Sequence, residues 1–158
     1  MTWMKRISLI SVFVLGGIQL VQPEKTNPTV YEDRILQRTL EVPPEITSII
    51  DRSCSDCHSF KTTWPWYSAI APISWYLIHD VNEGRRELNF SEWRNYNPKR
   101  AARKLEEICS EVQKGNMPLK SYAFVHPEAK LSNREKEQLC TWTKETRARL
   151  IPEPNTGK

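Results

Sequence analysis

The sequence predicts an all-α protein. Several segments begin with helix-start residues and then place apolar side chains at helical spacing, as in the segments that start at Pro44, Asn97 and Ser132. Eleven prolines and five glycines indicate that these helices are short and are joined by irregular loops. A length of 158 residues is enough for one domain and an N-terminal leader.

The leader, residues 1–22, is predicted to direct the chain to a membrane. Lys5 and Arg6 precede an apolar run of 15 residues, 7–21, which suits the core of a signal peptide and is short for a spanning helix. Neither an A-x-A cleavage site nor a lipobox cysteine follows this run, which favours an uncleaved signal anchor over a cleaved signal peptide. Both alternatives export the rest of the chain.

Three regions follow the leader. Residues 23–40 are predicted to be a linker, because residues 22–29 are polar and contain two prolines. One weak helical turn is expected near the end of this linker, where Ile35, Leu36 and Leu40 would pack on the domain. Residues 41–150 are predicted to form the domain, and residues 151–158 a polar, disordered tail.

Two helices are predicted in the first half of the domain. One begins at the Pro43-Pro44 pair and runs through Ser53. Its apolar face consists of Ile46, Ile49 and Ile50. The other spans Pro72 to Glu83, with Gly84 as its C-cap. Its expected apolar stripe consists of Ile73, Tyr76, Leu77 and Val81.

Two longer helices are predicted in the second half. Asn97 caps and Pro98 opens a helix over residues 99–114, which Gly115 ends. Its buried face is expected to contain Ala102, Leu105, Ile108, Cys109 and Val112. Ser132 and Glu135 have the spacing of a capping box and start the last helix, which runs to about Leu150. Its inward residues are expected to be Leu139, Cys140, Trp142 and Thr143.

The first helix leads into Cys54-Ser55-Asp56-Cys57-His58, which matches the C-x-x-C-H pattern of c-type haem attachment. Two thiols at this spacing can bond to the two vinyl groups of one porphyrin. The adjacent histidine then lies under the iron and can serve as its proximal ligand. The motif therefore predicts one covalent haem c per chain, held by Cys54 and Cys57, with His58 on the iron.

Two other uses of the cysteine pair stay open. A redox dithiol normally follows a strand, whereas the segment before Cys54 is predicted to be helical. A structural zinc site usually needs a second closely spaced pair of ligands. His79 and His126 stand alone in the sequence, and Cys109 and Cys140 are far apart.

Met117 is the predicted distal ligand of the iron. Its thioether is a soft, neutral donor that stabilises ferrous haem. It lies in a loop just after the Gly115 helix end and before Pro118, where the chain can present sulfur to the iron. The alternatives are His79 and His126, and Met117 as a filler of the core.

Further side chains are candidates for the surroundings of the haem. The aromatic, proline-broken segment 60–71 is predicted to line the haem pocket. Either Arg85 or Arg86 could pair with a haem propionate, although a solvated charge pair at the helix end is the favoured alternative. Cys109 and Cys140 either form a disulfide or remain as buried thiols.

The chain also resembles the small bacterial haem-binding domain family, which has the character of a c-type cytochrome. The resemblance covers roughly residues 40–150. The matching residues are Cys54 to Ser59, Thr63 to Ser68, Ile70 to Trp75, Gly84-Arg85, Leu88 to Trp93, Met117 to Leu119, Tyr122, His126 to Ala129, Leu131-Ser132 and Glu135. It implies a cytochrome c-like helical fold wrapped around one haem attached at Cys54 and Cys57, with His58 on the iron. It implies nothing about Cys109 and Cys140.

The predicted function is one-electron transfer by a periplasmic domain of the bacterial cell envelope, anchored in the inner membrane. The partner would be a redox protein of unknown identity, and no enzymatic activity is expected. The formal net charge of +4 does not indicate a nucleic-acid surface.

Rival functions depend on the sixth position of the iron. A haem-based sensor or a peroxidase-type enzyme needs a displaceable sixth ligand, and peroxide chemistry also needs an acid/base residue such as His126. A haem- or zinc-stabilised interaction module is a further alternative.

Overall fold

The computed structural model describes residues 3–151. All regular secondary structure within these residues is helical, which confirms the predicted all-α fold class. No strand occurs within these residues. The α-helices are α1 Trp3–Ile18, α2 Leu36–Thr39, α3 Pro44–Ser53, α4 Ser55–His58, α5 Ile73–Glu87, α6 Pro98–Lys114, α7 Lys120–Val125 and α8 Asn133–Leu150. Single 3-10 segments cover Trp66–Ala69, Phe90–Asn95 and Pro127–Ala129.

The core lies between α3, α6 and α8. Ile46, Ile49 and Ile50 of α3 are buried together, as their helical spacing predicted. Against them pack residues of α6, α8 and the 3-10 segment before α6, namely Phe90, Trp93, Ala101, Leu105, Ile108, Val112, Leu139 and Trp142. The predicted inward faces of the two long helices are therefore confirmed except at Cys109 and Cys140, which are only half-buried.

The caps of α6 and α8 also match the prediction. The Asn97 side chain accepts a hydrogen bond from the Arg100 backbone N–H, and Gly115 ends α6 in the left-handed conformation at φ 72°. Ser132 and Glu135 form both hydrogen bonds of a capping box at the start of α8. These local signals are reliable because each satisfies helix-end groups that have no partner inside the helix.

Helix α5 differs from the prediction at its end and on its buried face. It continues through Gly84 to Glu87, so Gly84 is not a C-cap. Its buried residues are Ser74, Ile78, Val81 and Gly84. Ile73 and Tyr76 of the predicted stripe are 51% and 73% exposed. Ser74 and Gly84 on the buried face are small, so α5 can lie close to its neighbours. This close packing, and not the size of the apolar side chains, decides which face of α5 is buried.

The N-terminal part of the chain contains one long and one very short helix. None of the described residues of α1 is buried. Across residues 3–151, no helix has both the length and the apolar character required to cross a membrane. The helical turn expected near Ile35 and Leu36 is present as α2, and Leu36 is completely buried. Apart from Ile151, the predicted tail lies outside the described residues.

Candidate functional site

The cysteine pair lies on the turn that joins α3 to α4. Cys54 ends α3, and its carbonyl accepts hydrogen bonds from the backbone N–H groups of Cys57 at 3.2 Å and His58 at 2.9 Å. Cys54 and Cys57 are both free and half-buried. Burial raises the pKa of each thiol to about 12. Both therefore remain neutral thiols at neutral pH.

His58 is held in one orientation by two backbone carbonyls. Its Nδ1 lies 2.9 Å from the Gly84 carbonyl oxygen and 3.1 Å from the Leu88 carbonyl oxygen. Because a carbonyl can only accept, Nδ1 carries the proton and donates it, which leaves the lone pair on Nε2. Burial lowers the pKa of His58 and so favours the neutral ring. A neutral imidazole fixed through its other nitrogen is the usual form of a metal-ligating histidine.

Gly84 permits α5 to lie directly against the cysteine motif. A Cβ atom at Gly84 would come within 2.6 Å of the Cys57 carbonyl oxygen and 3.2 Å of the Cys57 Cβ. Real Cβ atoms essentially never make contacts as short as the first. The same close approach brings the Gly84 carbonyl within reach of His58.

Two adjoining cavities open beside the motif, with volumes of about 200 and 400 Å³. Cys54, His58 and Met117 line both, and Cys57 lines the smaller one. The larger volume falls in the range of about 300–1,000 Å³ that is typical of ligand sites. The structure thus brings all four predicted haem-binding residues to one place.

Three residues that sequence reasoning left out also face these cavities. Phe90 lies edge-on to the His58 ring, with centroids 6.2 Å apart. Lys104 lines the larger cavity with its side chain only 12% exposed. The buried Ser53 hydroxyl, on the walls of both cavities, has no hydrogen-bond partner among the described residues. These residues come together only in the folded chain, so no local sequence pattern identifies them.

The donor set fits a covalently attached haem. Two neutral thiols, an imidazole with a free Nε2 and a thioether face a shared cavity. The Ser53 hydroxyl, which has no partner among the described residues, could bind a polar group of a bound molecule, whereas the Lys104 ammonium already pairs with Glu107 at 2.7 Å. The described residues contain no cluster of three or more His, Cys, Asp or Glu side chains that could hold a metal ion.

The two alternative histidines lie elsewhere. His79 is exposed and lines neither cavity. His126 Nε2 is 2.6 Å from the Tyr67 hydroxyl, and its Nδ1 is 3.0 Å from Glu128 Oε1. His126 is also stacked on Tyr122 at 4.5 Å between centroids, so its ring is fully engaged.

The aromatic segment and Arg85 do not have the roles expected of them, whereas Arg86 is the solvated charge at the helix end that was favoured. No residue of segment 60–71 lines either cavity, and Trp66 is 77% exposed. The Arg85 guanidinium donates to four oxygen atoms, belonging to Thr26, Asn27, Ser59 and Thr62. It therefore ties the linker to the loop after His58, and it is neither solvated nor free for a propionate. The exposed Arg86 pairs with Glu83.

Asp56, between the two cysteines, fixes the motif to its surroundings. Its carboxylate accepts hydrogen bonds from the Tyr122 hydroxyl at 2.7 Å and the Thr63 N–H at 2.8 Å. Its carbonyl accepts from the Thr62 hydroxyl at 2.6 Å. Tyr122 lines the smaller cavity, so α7 closes one side of the site.

The other cysteine pair forms a disulfide. Cys109 of α6 and Cys140 of α8 are bridged, with their Cα atoms 4.8 Å apart. Neither residue lines the two cavities beside His58.

Comparisons with known proteins agree with the geometry at the level of the family. No curated protein and no solved structure matches this sequence. A model of the haem-binding domain family matches residues 13–145, which is most of the chain and includes the cysteine motif and Met117. The cavity with its two thiols, its oriented imidazole and its thioether thus lies in a chain that belongs to the haem-binding domain family.

Proposed function

We propose that this domain attaches one haem c through thioether bonds to Cys54 and Cys57, and that it serves as a one-electron carrier. The observation that carries the proposal is the His58 ring. Its Nδ1 is committed to two carbonyls, so that Nε2 is available beside two free thiols. Such a carrier cycles between ferric and ferrous iron and needs no catalytic residue of its own.

His58 and Met117 are the proposed axial ligands. Both side chains line the same two cavities, so both could hold the iron of one bound haem. The carbonyls of Gly84 and Leu88 hold the imidazole and increase its basicity. The Met117 thioether favours the reduced state and raises the potential relative to a second histidine.

The proposed location is the periplasm, with α1 attaching the domain to the inner membrane. Disulfides such as Cys109–Cys140 form and persist in oxidising compartments. Helix α1 is apolar, and none of its described residues is buried. The partner would be a redox protein that docks near the haem edge.

Covalent attachment can be tested with matched cysteine pairs. In Cys54→Ala/Cys57→Ala, haem should be lost in acid-acetone or in denaturing electrophoresis, because no thioether can form. In Cys109→Ala/Cys140→Ala, haem should stay with the polypeptide. If the wild-type protein itself released all its haem, covalent attachment would be wrong.

Axial ligation can be tested by substituting Met117. Met117→Ala should become high-spin and bind carbon monoxide, because the sixth position opens. Met117→His should remain low-spin with a more negative potential, because imidazole is the better donor to ferric iron. His79→Ala and His126→Ala should keep the wild-type spectrum, since neither histidine lines the cavities.

Two results would contradict this assignment. If Met117→Ala kept the wild-type low-spin spectrum while a histidine variant lost it, the axial pair would be bis-histidine. If the wild-type ferrous protein bound carbon monoxide readily, the sixth ligand would be displaceable, and a sensor or peroxidase-type function would replace electron transfer.

A further inference from the structure

An exposed apolar surface lies on the chain segment that precedes and opens α5. The sequence from Thr62 to Ile78 contains no charged residue. Within it, a set of large apolar side chains is at least one-third exposed, although the segment is packed on the domain. These side chains are Trp66 at 77%, Ile70 at 41%, Ile73 at 51%, Trp75 at 36% and Tyr76 at 73%. We name these five residues the aromatic surface.

The aromatic surface is joined to the end of α1. The Gln19 side-chain amide donates to the Ala71 carbonyl at 3.0 Å, and its oxygen accepts from the Ala71 N–H at 2.9 Å. The Trp75 indole N–H donates to the Val21 carbonyl at 2.7 Å. Exposed apolar residues therefore occur on both sides of this junction, because Leu20 and Val21, 88% and 65% exposed, lie beside the chain that is hydrogen-bonded to Ala71 and Trp75.

The length of α1 limits how far the domain can stand from a bilayer. A helix of 16 residues is about 24 Å long, whereas the hydrocarbon core of a bilayer is about 30 Å thick. When α1 is inserted in the membrane without crossing it, its C-terminal end lies at or below the level of the headgroups. The hydrogen bonds of Gln19 and Val21 then place Ala71 and Trp75 at the same level.

The chemistry of the aromatic surface suits that level. Tryptophan and tyrosine concentrate at membrane–water interfaces, where an apolar ring is buried and its polar atom stays near water. Lys25, whose ammonium lies 3.4 Å from the Ser68 hydroxyl, supplies a cation beside the surface for anionic headgroups. Large exposed apolar side chains that are concentrated on one segment point to an interaction site.

We infer that the aromatic surface docks on the lipid headgroup region of the membrane that α1 enters, so that the domain lies against the bilayer in one orientation. This inference rests on the proposed attachment through α1. The occupant is lipid and not a protein, because hydrogen bonds join the surface to the residues that follow α1 and the surface contains no charged side chain of its own.

Spin labels on the full-length, haem-loaded protein can test the docking. One nitroxide is placed at a time through Tyr76→Cys, Val12→Cys or Lys144→Cys, and the protein is added to phosphatidylethanolamine/phosphatidylglycerol vesicles. Protein without an added cysteine serves as the labelling blank. Labels at 76 and 12 should be more accessible to oxygen than to a water-soluble nickel chelate, and the label at 144 on α8 should show the reverse.

Three other results would each overturn part of the proposal. A label at 12 in lipid with a label at 76 in water overturns the docking but keeps the attachment through α1. Labels at 12 and 76 both in water overturn the attachment and the docking together. A label at 144 in lipid would indicate unspecific adsorption and would also overturn the proposed orientation.

A second measurement avoids labels and uses matched substitutions. Ile73→Ser/Tyr76→Ser removes two exposed apolar groups of the aromatic surface and should weaken partition into the same vesicles about tenfold. Tyr31→Ser is the control for the tyrosine substitution, because Tyr31 is 53% exposed and lies outside the aromatic surface. It should not alter partition. Equal partition of the double variant and the wild type would overturn the docking.

Discussion

Gly84 is the residue on which the arrangement of the proposed haem site most depends. It lies inside α5, where a glycine normally costs stability relative to alanine. That cost is accepted here because α5 approaches the Cys57 carbonyl too closely for any Cβ. The glycine therefore serves the site twice, as the point of contact and as the acceptor for His58 Nδ1.

Gly84→Ala should lower the free energy of unfolding by about 1–3 kcal/mol, the usual cost of overpacking a tight contact. Haem incorporation during expression should fall as well, because the added methyl displaces Cys57 and the carbonyl that holds His58. Urea unfolding and the haem-to-protein ratio measure the two effects.

The control for this variant is Gly17→Ala. Gly17 is also a helical glycine, but nothing lies within 4 Å of an added Cβ. This change should leave haem content unaltered. If Gly84→Ala behaved in the same way, the close approach of α5 would have no role in forming the site.

At the residue scale, sequence predicts what is local and misses what depends on the fold. The roles proposed for Cys54, Cys57 and His58 follow from their spacing alone. Arg85 looked like a solvated or propionate-binding cation, yet its partners come from segments 23 to 59 residues away in the sequence. Lys104 and Ser53 reach the cavities only because the helices that carry them pack around the motif.

At the scale of elements, capped helices were predicted well and α5 was not. Asn97, Gly115 and the Ser132–Glu135 box set helix ends through contacts within a few residues. Helix α5 has no side-chain cap, and its buried face is chosen by close packing against α4 and the 3-10 segment before it. Apolar periodicity therefore pointed to Ile73 and Tyr76, which belong to the exposed aromatic surface.

The capping box of α8 predicts a dependence of stability on pH. The backbone N–H of Ser132, then the Arg52 guanidinium at 2.6 Å and the Ser132 hydroxyl, lower the pKa of Glu135 from 4.5 to about 2. The folded state thus keeps Glu135 ionised down to a lower pH than the unfolded chain does. This stabilisation is complete above the unfolded pKa and is lost as pH falls from about 4.5 to about 2.

Two substitutions distinguish the contribution of the Glu135 charge to stability from that of the capping box. Glu135→Ala should lower the free energy of unfolding by about 1 kcal/mol at pH 7, because it removes the box. Glu135→Gln keeps the box and should mainly flatten the loss of stability below pH 4.5. Urea midpoints between pH 7 and pH 3 measure both, and an unchanged slope in Glu135→Gln would show that Glu135 is not the group that titrates.

At the scale of the whole molecule, two parts of the structure have different tasks. The contact of α6 with α8, closed by the Cys109–Cys140 disulfide, forms a scaffold whose disulfide lies outside both cavities, although α6 also lines the larger cavity through Lys104 and Ile108. The motif, α5 and α7 line the smaller cavity. The sequence predicted α3, α5, α6 and α8 but neither α4 nor α7, and it left the pairing of Cys109 with Cys140 open because spacing gives no Cα separation.

This division predicts what loss of the disulfide does. The bridge spans 31 residues of sequence, so Cys109→Ser/Cys140→Ser should lower the free energy of unfolding by about 3–4 kcal/mol, through a less constrained unfolded chain. The haem spectrum should not change, because neither cysteine lines the cavities beside His58. Reduction of the wild-type protein with dithiothreitol should reproduce the shift in urea midpoint. A variant with an unaltered midpoint, or one that loses its low-spin spectrum while still folded, would show that the scaffold and the site are not separate.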